Sequence, residues 1–169
     1  MSATEAIVRA EGEGPRRWFY GGGTHTWKVT ADEGGGAFSL FEDSLTQGKM
    51  TPLHRHPDTD ETVYVLEGEI LTIIDGTEHK VGAGGMTFVP RGVPHAFTVV
   101  SESARLLALQ TPGSAGAFYW NASEPATNDG PGPVDFDRIG QVAQETGATD
   151  VLGPPPFQAV TAGRSMSGS

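Results

Sequence analysis

Two short stretches of the chain concentrate side chains that can bind a metal and move protons. The first runs Gly48, five residues, His54-Arg55-His56, four residues, Glu61, six residues, Gly68. The second runs Gly84, five residues, Pro90-Arg91-Gly92, two residues, His95. On a strand, residues i and i+2 point to one face, so His54 and His56 present two imidazoles together. Pro57-Asp58-Thr59-Asp60 reads as a turn, after which the next strand returns Glu61 alongside. His95 opens a further strand behind a Pro/Gly turn. Three imidazole nitrogens and one carboxylate oxygen can then converge on one point, a donor set for a divalent transition metal.

The donor set narrows the metal. The chain has no cysteine, so Cu(I) is disfavoured, and three nitrogen donors disfavour Mg and Ca. Mn, Fe, Co, Ni, Cu(II) and Zn remain. Four protein ligands leave positions open on a five- or six-coordinate ion, which a catalytic site needs. His25 and His79 lie outside this spacing and are expected at the surface. Asp58 and Asp60 are expected to serve the turn.

Strands and tight turns must hold these residues. The 169 residues include 24 Gly and 12 Pro, a richness that argues against a helix bundle, because glycine weakens and proline breaks helix interiors. Runs rich in β-branched and aromatic residues occupy 26–30, 37–43, 62–66, 69–74, 86–89, 96–100 and 105–109. Turn residues separate them, and Asp75-Gly76 suits a two-residue hairpin. Closely spaced strands of this kind predict an antiparallel all-β domain closed into a barrel, which leaves no exposed edge. One helix is expected after it, with Asp135 as N-cap, Phe136, Ile139 and Ala143 as the apolar stripe, and Gly147 as the stop. The chain therefore divides into an N-terminal arm (1–23), the barrel (24–112), a C-terminal segment whose one helix packs on the barrel (113–160), and a disordered tail (161–169). The aromatic trio Trp18-Phe19-Tyr20 is expected to cover the core.

Composition removes several function classes. A net charge of −10 argues against nucleic-acid binding, which needs clustered Lys and Arg. No apolar run approaches the ~20 residues of a membrane span, and the N-terminus lacks a secretory pattern. The cytoplasm is the simplest expected location. Without cysteine, disulfides are excluded.

The two histidine blocks resemble the paired motifs of the cupins, G-X5-H-X-H-X3,4-E-X6-G and G-X5-P-X-G-X2-H-X3-N. The first block matches at Gly48, His54, His56, Glu61 and Gly68. The second matches at Gly84, Pro90, Gly92 and His95, and departs at the last position, where Val99 stands for Asn. That Asn is not a ligand in the cupins, so the departure leaves the ligand set whole. The resemblance implies a small jelly-roll β-barrel with a metal held by His54, His56, Glu61 and His95, and a homodimer. The wider context around the blocks, and the Leu152-Gly153-Pro154-Pro155-Pro156 segment after the helix, is similar to small single-domain cupins related to bacterial quercetin 2,3-dioxygenases.

That closer resemblance implies a dioxygenase that cleaves the heterocyclic ring of a flavonol such as quercetin, with O2 consumed and CO released. Ni, Mn, Co or Fe would be the expected metal, with Cu or Zn as further options. Glu61 would be ligand and base together, taking the proton of the enolic hydroxyl. Strand parity predicts Met50, Val63, Val65 and Phe97 as inward-facing walls for a flat aromatic substrate, and turns Tyr64 outward. Two alternatives stand beside it: a metallocupin enzyme acting on another small enol or keto substrate, and a non-catalytic small-molecule-binding cupin.

Overall fold

The computed structural model describes residues 5–127 and 132–158. Twelve strands form two sheets. The strands are β1 (Arg16–Phe19), β2 (Thr24–Val29), β3 (Ser39–Thr46), β4 (Leu53–Arg55), β5 (Asp60–Glu67), β6 (Glu69–Ile74), β7 (Thr77–Gly82), β8 (Met86–Val89), β9 (His95–Val99), β10 (Ser103–Thr111), β11 (Ser123–Pro125) and β12 (Asp150–Gly153). Two helices, α1 (Gly116–Asn121) and α2 (Phe136–Thr146), lie between the last strands. The first sheet runs β11-β1-β2-β3-β10-β5-β8 and the second β12-β4-β9-β6-β7. This is the jelly-roll class of arrangement that the cupin resemblance implied.

The expected closure into a barrel does not occur. The two sheets remain separate, and β11, β8, β12 and β7 are their edges. An all-antiparallel fold can bury its apolar faces between two sheets without joining their edges. Alternation along β3, β5 and β10 supplies one inner face: buried Phe41, Leu45, Val63, Val65, Leu106 and Ala108 alternate with less buried neighbours. From β6 and β9 of the other sheet, Ile70 and Val99 meet Leu45, Val63, Val65, Ala104 and Leu106 in one cluster. Each large side chain buried this way contributes roughly 1.5–3 kcal/mol. Val99, at the position where the motif has Asn, is fully buried in this core.

The Asp75-Gly76 hairpin forms between β6 and β7 as its sequence requires, with φ of 48° and 78°. The strand β7 was not legible, because its Thr77-Glu78-His79-Lys80 run is exposed and lacks apolar alternation. The helix α2 has the expected ends: Asp135 Oδ1 accepts from Arg138 N at 3.0 Å, and Gly147 closes it at φ 64°. Its buried stripe is Ile139, Val142 and Ala143, whereas Phe136 in the first turn is exposed. This stripe packs on Phe19, Tyr20, Phe118 and Ala122, so two residues of the aromatic trio do cover a core. β1 and β11 pair with each other, as do β12 and β4. The arm before residue 24 and the segment after residue 112 thus both contribute strands to the sheets. The tail 161–169 lies outside the described residues.

Candidate metal centre

Register brings the first two histidines together. His54 in β4 and His95 at the start of β9 are direct partners across an antiparallel pair, so their side chains share a face. Their ring centroids are 4.3 Å apart. His56 follows β4 by one residue and keeps the i+2 parity of a strand. Its ring lies 5.2 Å from that of His54 and 5.4 Å from that of His95. All three are buried, and one ring nitrogen from each falls within 4.8 Å of the others. Two metal–nitrogen bonds of about 2.0–2.1 Å span at most about 4.2 Å, so a small contraction would seat one ion.

Each ring is held by its other nitrogen. His54 Nδ1 donates to the Pro52 carbonyl at 2.7 Å, and His95 Nδ1 to the Val93 carbonyl at 2.9 Å. Both partners are two residues earlier, so the local loop itself sets the tautomer and leaves Nε2 free for a metal. His56 is held from far away: its Nδ1 lies 3.0 Å from Thr149 Oγ1 and 3.3 Å from the Ala148 carbonyl. The β12–β4 pairing and the Arg55–Asp150 ion pair at 2.9 Å keep that segment in place.

Glu61 arrives from the opposite sheet. It sits in β5, directly across from Gln110 of β10. Its Oε2 is 3.2 Å from His56 Nε2 and its Oε1 is 3.4 Å from His95 Nε2. The sequence pattern had placed it beside the histidines; it faces them across the space between the sheets. Burial alone would raise its carboxyl, but hydrogen bonding and charge from His56 and His95 outweigh burial and hold it well below the usual carboxylate range. His54 is driven well below its ordinary value by burial and then by the neighbouring His95 and His56. Burial also lowers His95, yet Glu61 more than offsets it and the net shift is upward. His95 Nε2 is buried and, despite the nearby Glu61, has no hydrogen-bond partner among the described residues. A buried imidazole nitrogen left bare among two more imidazoles and a carboxylate fits a metal ion.

The Cupin domain family model matches residues 42–109, which span β3 to β10 apart from the ends. Over 108 residues the chain is 30% identical to the quercetin 2,3-dioxygenase of Bacillus subtilis strain 168, covering 64% of this chain and 32% of that protein. Residues 42–109 are a cupin domain. Among solved structures, a predicted oxalate decarboxylase from Thermotoga maritima superposes with TM-score 0.57 at 20% identity, covering 63% of this chain and 99% of that chain. The polyketide cyclase RemF from Streptomyces resistomycificus gives TM-score 0.50 at 25% identity, covering 64% and 80%. The chain spans less than half the length of the curated relatives it matches.

The centre opens into a small cavity of about 40 Å³, lined by His54 and Glu61 among others. Val63 and Phe97 line it, as parity predicted. Met50 does not. β4, which carries His54, begins only at Leu53, and Met50 makes only an isolated bridge to Thr98. Met50 faces an outer groove with Trp18, Val134 and Phe136, and Thr51 takes the place on the cavity wall. Val65 is fully buried in the inter-sheet core, and Tyr64 is exposed as expected. A larger groove of about 700 Å³ runs past Trp27 and Trp120 but contains none of the candidate ligands.

Three residues at the centre had no signal in the sequence. Tyr119 of α1 donates through its hydroxyl to Glu61 Oε2 at 2.9 Å. Gln110 Nε2 is 3.5 Å from the same oxygen and is oriented by Ser39. His25 was expected at the surface, and this is corrected: it is 1% exposed and lines the cavity. His79 is exposed, as expected.

Proposed function

We propose that this cupin is a metal-dependent dioxygenase acting on a substrate with an acidic enolic hydroxyl, a flavonol being the first candidate. The observation that carries it is the buried cluster of three imidazoles facing one carboxylate, with His95 Nε2 unpartnered. His54, His56, His95 and Glu61 would hold one divalent metal. Ni, Mn, Co and Fe are the first candidates, with Cu and Zn behind them. The ion would supply Lewis acidity and a template for substrate and O2.

The protein's own part is proton handling and orientation. Glu61 is ionised, so Oε1 can accept the proton of the enolic hydroxyl. Oε2 meanwhile stays engaged by Tyr119, which fixes the carboxylate plane. Val63 and Phe97 supply apolar wall. For a flavonol the balance is one substrate plus O2 giving one ring-opened ester plus CO, with both dioxygen atoms retained in the ester. The name of the Bacillus relative supports the flavonol.

The cavity size favours a second reading. About 40 Å³ holds only a few water molecules. A flavonol needs the wall to move, and Phe97 is a half-buried apolar part of it. A smaller enol or keto acid needs less movement. Purified protein loaded in turn with Mn, Fe, Co, Ni, Cu and Zn and mixed with quercetin under air tests the first reading. Loss of flavonol absorbance with CO release is the expected result, and no loss with any metal sinks the flavonol. Turnover of small enols by the same metal panel would then support the second reading, and binding with no turnover at all a purely binding cupin.

A homodimer in the cytoplasm belongs to the same proposal. Tyr64, Met86 and Phe88 are exposed along the β5–β8 edge, an apolar stripe that a second copy would cover. Sedimentation of the purified protein, with Met86→Lys as the disrupting variant, tests it. No helix among the described residues is long and apolar enough to cross a membrane.

A further inference from the structure

The cavity that opens on the metal centre has a second polar wall, built from β2 and β3. His25 and Asp43 are cross-strand partners there, and both line the cavity. The His25 ring is stacked 4.7 Å from Phe19 and 4.3 Å from Phe41, with Trp27 and Tyr119 edge-on. Its Nε2 is 3.6 Å from Asp43 Oδ1, too long for a hydrogen bond. His25 Nδ1 and Asp43 Oδ1 are both buried and both lack a hydrogen-bond partner among the described residues. Unpaired buried polar atoms are costly, and two of them on residues that line one cavity point to a group that enters as the wall moves and pairs with them.

We propose that His25 and Asp43 form a second subsite of the metal-centre cavity, which takes a hydroxyl group of the substrate remote from the metal. This rests on the reading of that cavity as the substrate site. A hydroxyl suits the pair because it donates and accepts through one oxygen. A carboxylate there would face Asp43, and an ammonium would face Lys49, which also lines the cavity. Burial drives His25 well below its ordinary value, so its imidazole is neutral and does not demand an anion. One ring packs against both ends: Tyr119 lies 5.9 Å from the His56 ring and 5.7 Å from the His25 ring. The substrate class is therefore a hydroxy-ketone or enol that carries a further hydroxyl away from its chelating unit.

Two compact pyrones separate this claim from the choice of reaction. Maltol and kojic acid share the hydroxy-keto chelating unit, and only kojic acid carries an additional hydroxymethyl group. Binding of each to the zinc-loaded protein is measured by calorimetry, so no turnover is involved. Kojic acid is expected to bind about five- to tenfold tighter, the worth of one hydrogen bond. His25→Phe, which keeps an aromatic ring between Phe19 and Phe41, and Asp43→Val are expected to erase that ratio while maltol affinity stays within twofold. Asp43→Asn keeps an acceptor oxygen and is expected to keep part of the ratio. Equal binding of both pyrones by the wild type, a ratio that survives in His25→Phe and Asp43→Val, or no binding of either pyrone would overturn the subsite. Loss of quercetin turnover with the ratio intact would remove the flavonol and leave the subsite standing.

Discussion

The hydroxyl of Tyr119 donates to Oε2 of Glu61 at 2.9 Å, across 58 residues of sequence. Tyr119 is carried by a helix outside the core strands, and Glu61 by β5, the strand next to the β8 edge of the larger sheet. Burial, and then the charge of Glu61, raise the phenol well above its ordinary value, so it remains a donor throughout the working range of pH. Glu61 thus has one oxygen fixed by a neutral donor and the other turned to His95.

Tyr119→Phe removes that donor and leaves Glu61 Oε2 with His56 Nε2 at 3.2 Å and the long 3.5 Å contact to Gln110. A hydrogen bond to a charged group contributes about 1.5–3 kcal/mol. The variant is expected to fold and to bind metal, with turnover of any accepted substrate down roughly tenfold and its acidic limb moved to higher pH, since the ionised carboxylate has lost a stabilising bond. An unchanged pH–rate profile would show that Tyr119 does not act on Glu61.

Glu61→Gln keeps the shape of the side chain but not its basicity. Metal should be partly retained through the three histidines while turnover falls at least 100-fold, the lower range of general-base effects. Metal content by elemental analysis and turnover by absorbance separate the two roles, and unchanged turnover would remove Glu61 as base.

Thr149→Val deletes the 3.0 Å partner of His56 Nδ1 and leaves the weaker Ala148 carbonyl at 3.3 Å. Outer partners of metal-binding histidines are worth 10- to 100-fold in metal affinity. Because one partner survives, a loss of about tenfold is expected in a competition titration against a coloured chelator, with little change in unfolding midpoint.

Metal binding should be coupled to protons. Glu61 raises His95 above its ordinary 6.5, so in the metal-free protein His95 holds a proton that an ion must displace. Affinity is therefore expected to rise as pH climbs from 6.5 through the raised value, then level off. The metal-free fold has the opposite dependence at this group: the stabilising His95–Glu61 attraction is fully present below 6.5 and is lost as pH rises through the raised value. Calorimetry in buffers of different ionisation enthalpy reads the released protons, and proton-free binding near pH 6.5 would contradict the pairing.

Two motif glycines should differ sharply in cost. Gly48 and Gly68 both have φ of 82°. A Cβ on Gly48 meets nothing within 4 Å, whereas one on Gly68 would sit 2.2 Å from the Ser103 carbonyl oxygen and 2.9 Å from Ala104 Cα. Gly48→Ala is expected to cost about 1–2 kcal/mol, the left-handed backbone penalty alone. Gly68→Ala should cost about 2 kcal/mol more, because backbone must move. Urea unfolding midpoints compare them, and equal losses would show that the clash relaxes freely.

The sequence by itself determined what depends on local spacing. The i+2 parity of His54 and His56, the Asp75-Gly76 turn and both ends of α2 follow from period and turn chemistry within a few residues. So do the carbonyl partners of His54 and His95, which lie two residues away. Tertiary structure decided everything that crosses between distant segments. It set Glu61 against the histidines from the other sheet, brought Tyr119 and Thr149 to the centre, and kept the two sheets from closing. Parity failed for Met50 because the strand that carries His54 begins only at Leu53, and Thr51-Pro52 break the alternation back to Met50. His25 shows the same limit. A histidine outside a motif carries no mark of burial in its own neighbourhood, and only the packing of Phe19, Phe41 and Tyr119 around it, from three separate elements, turns it into a cavity wall.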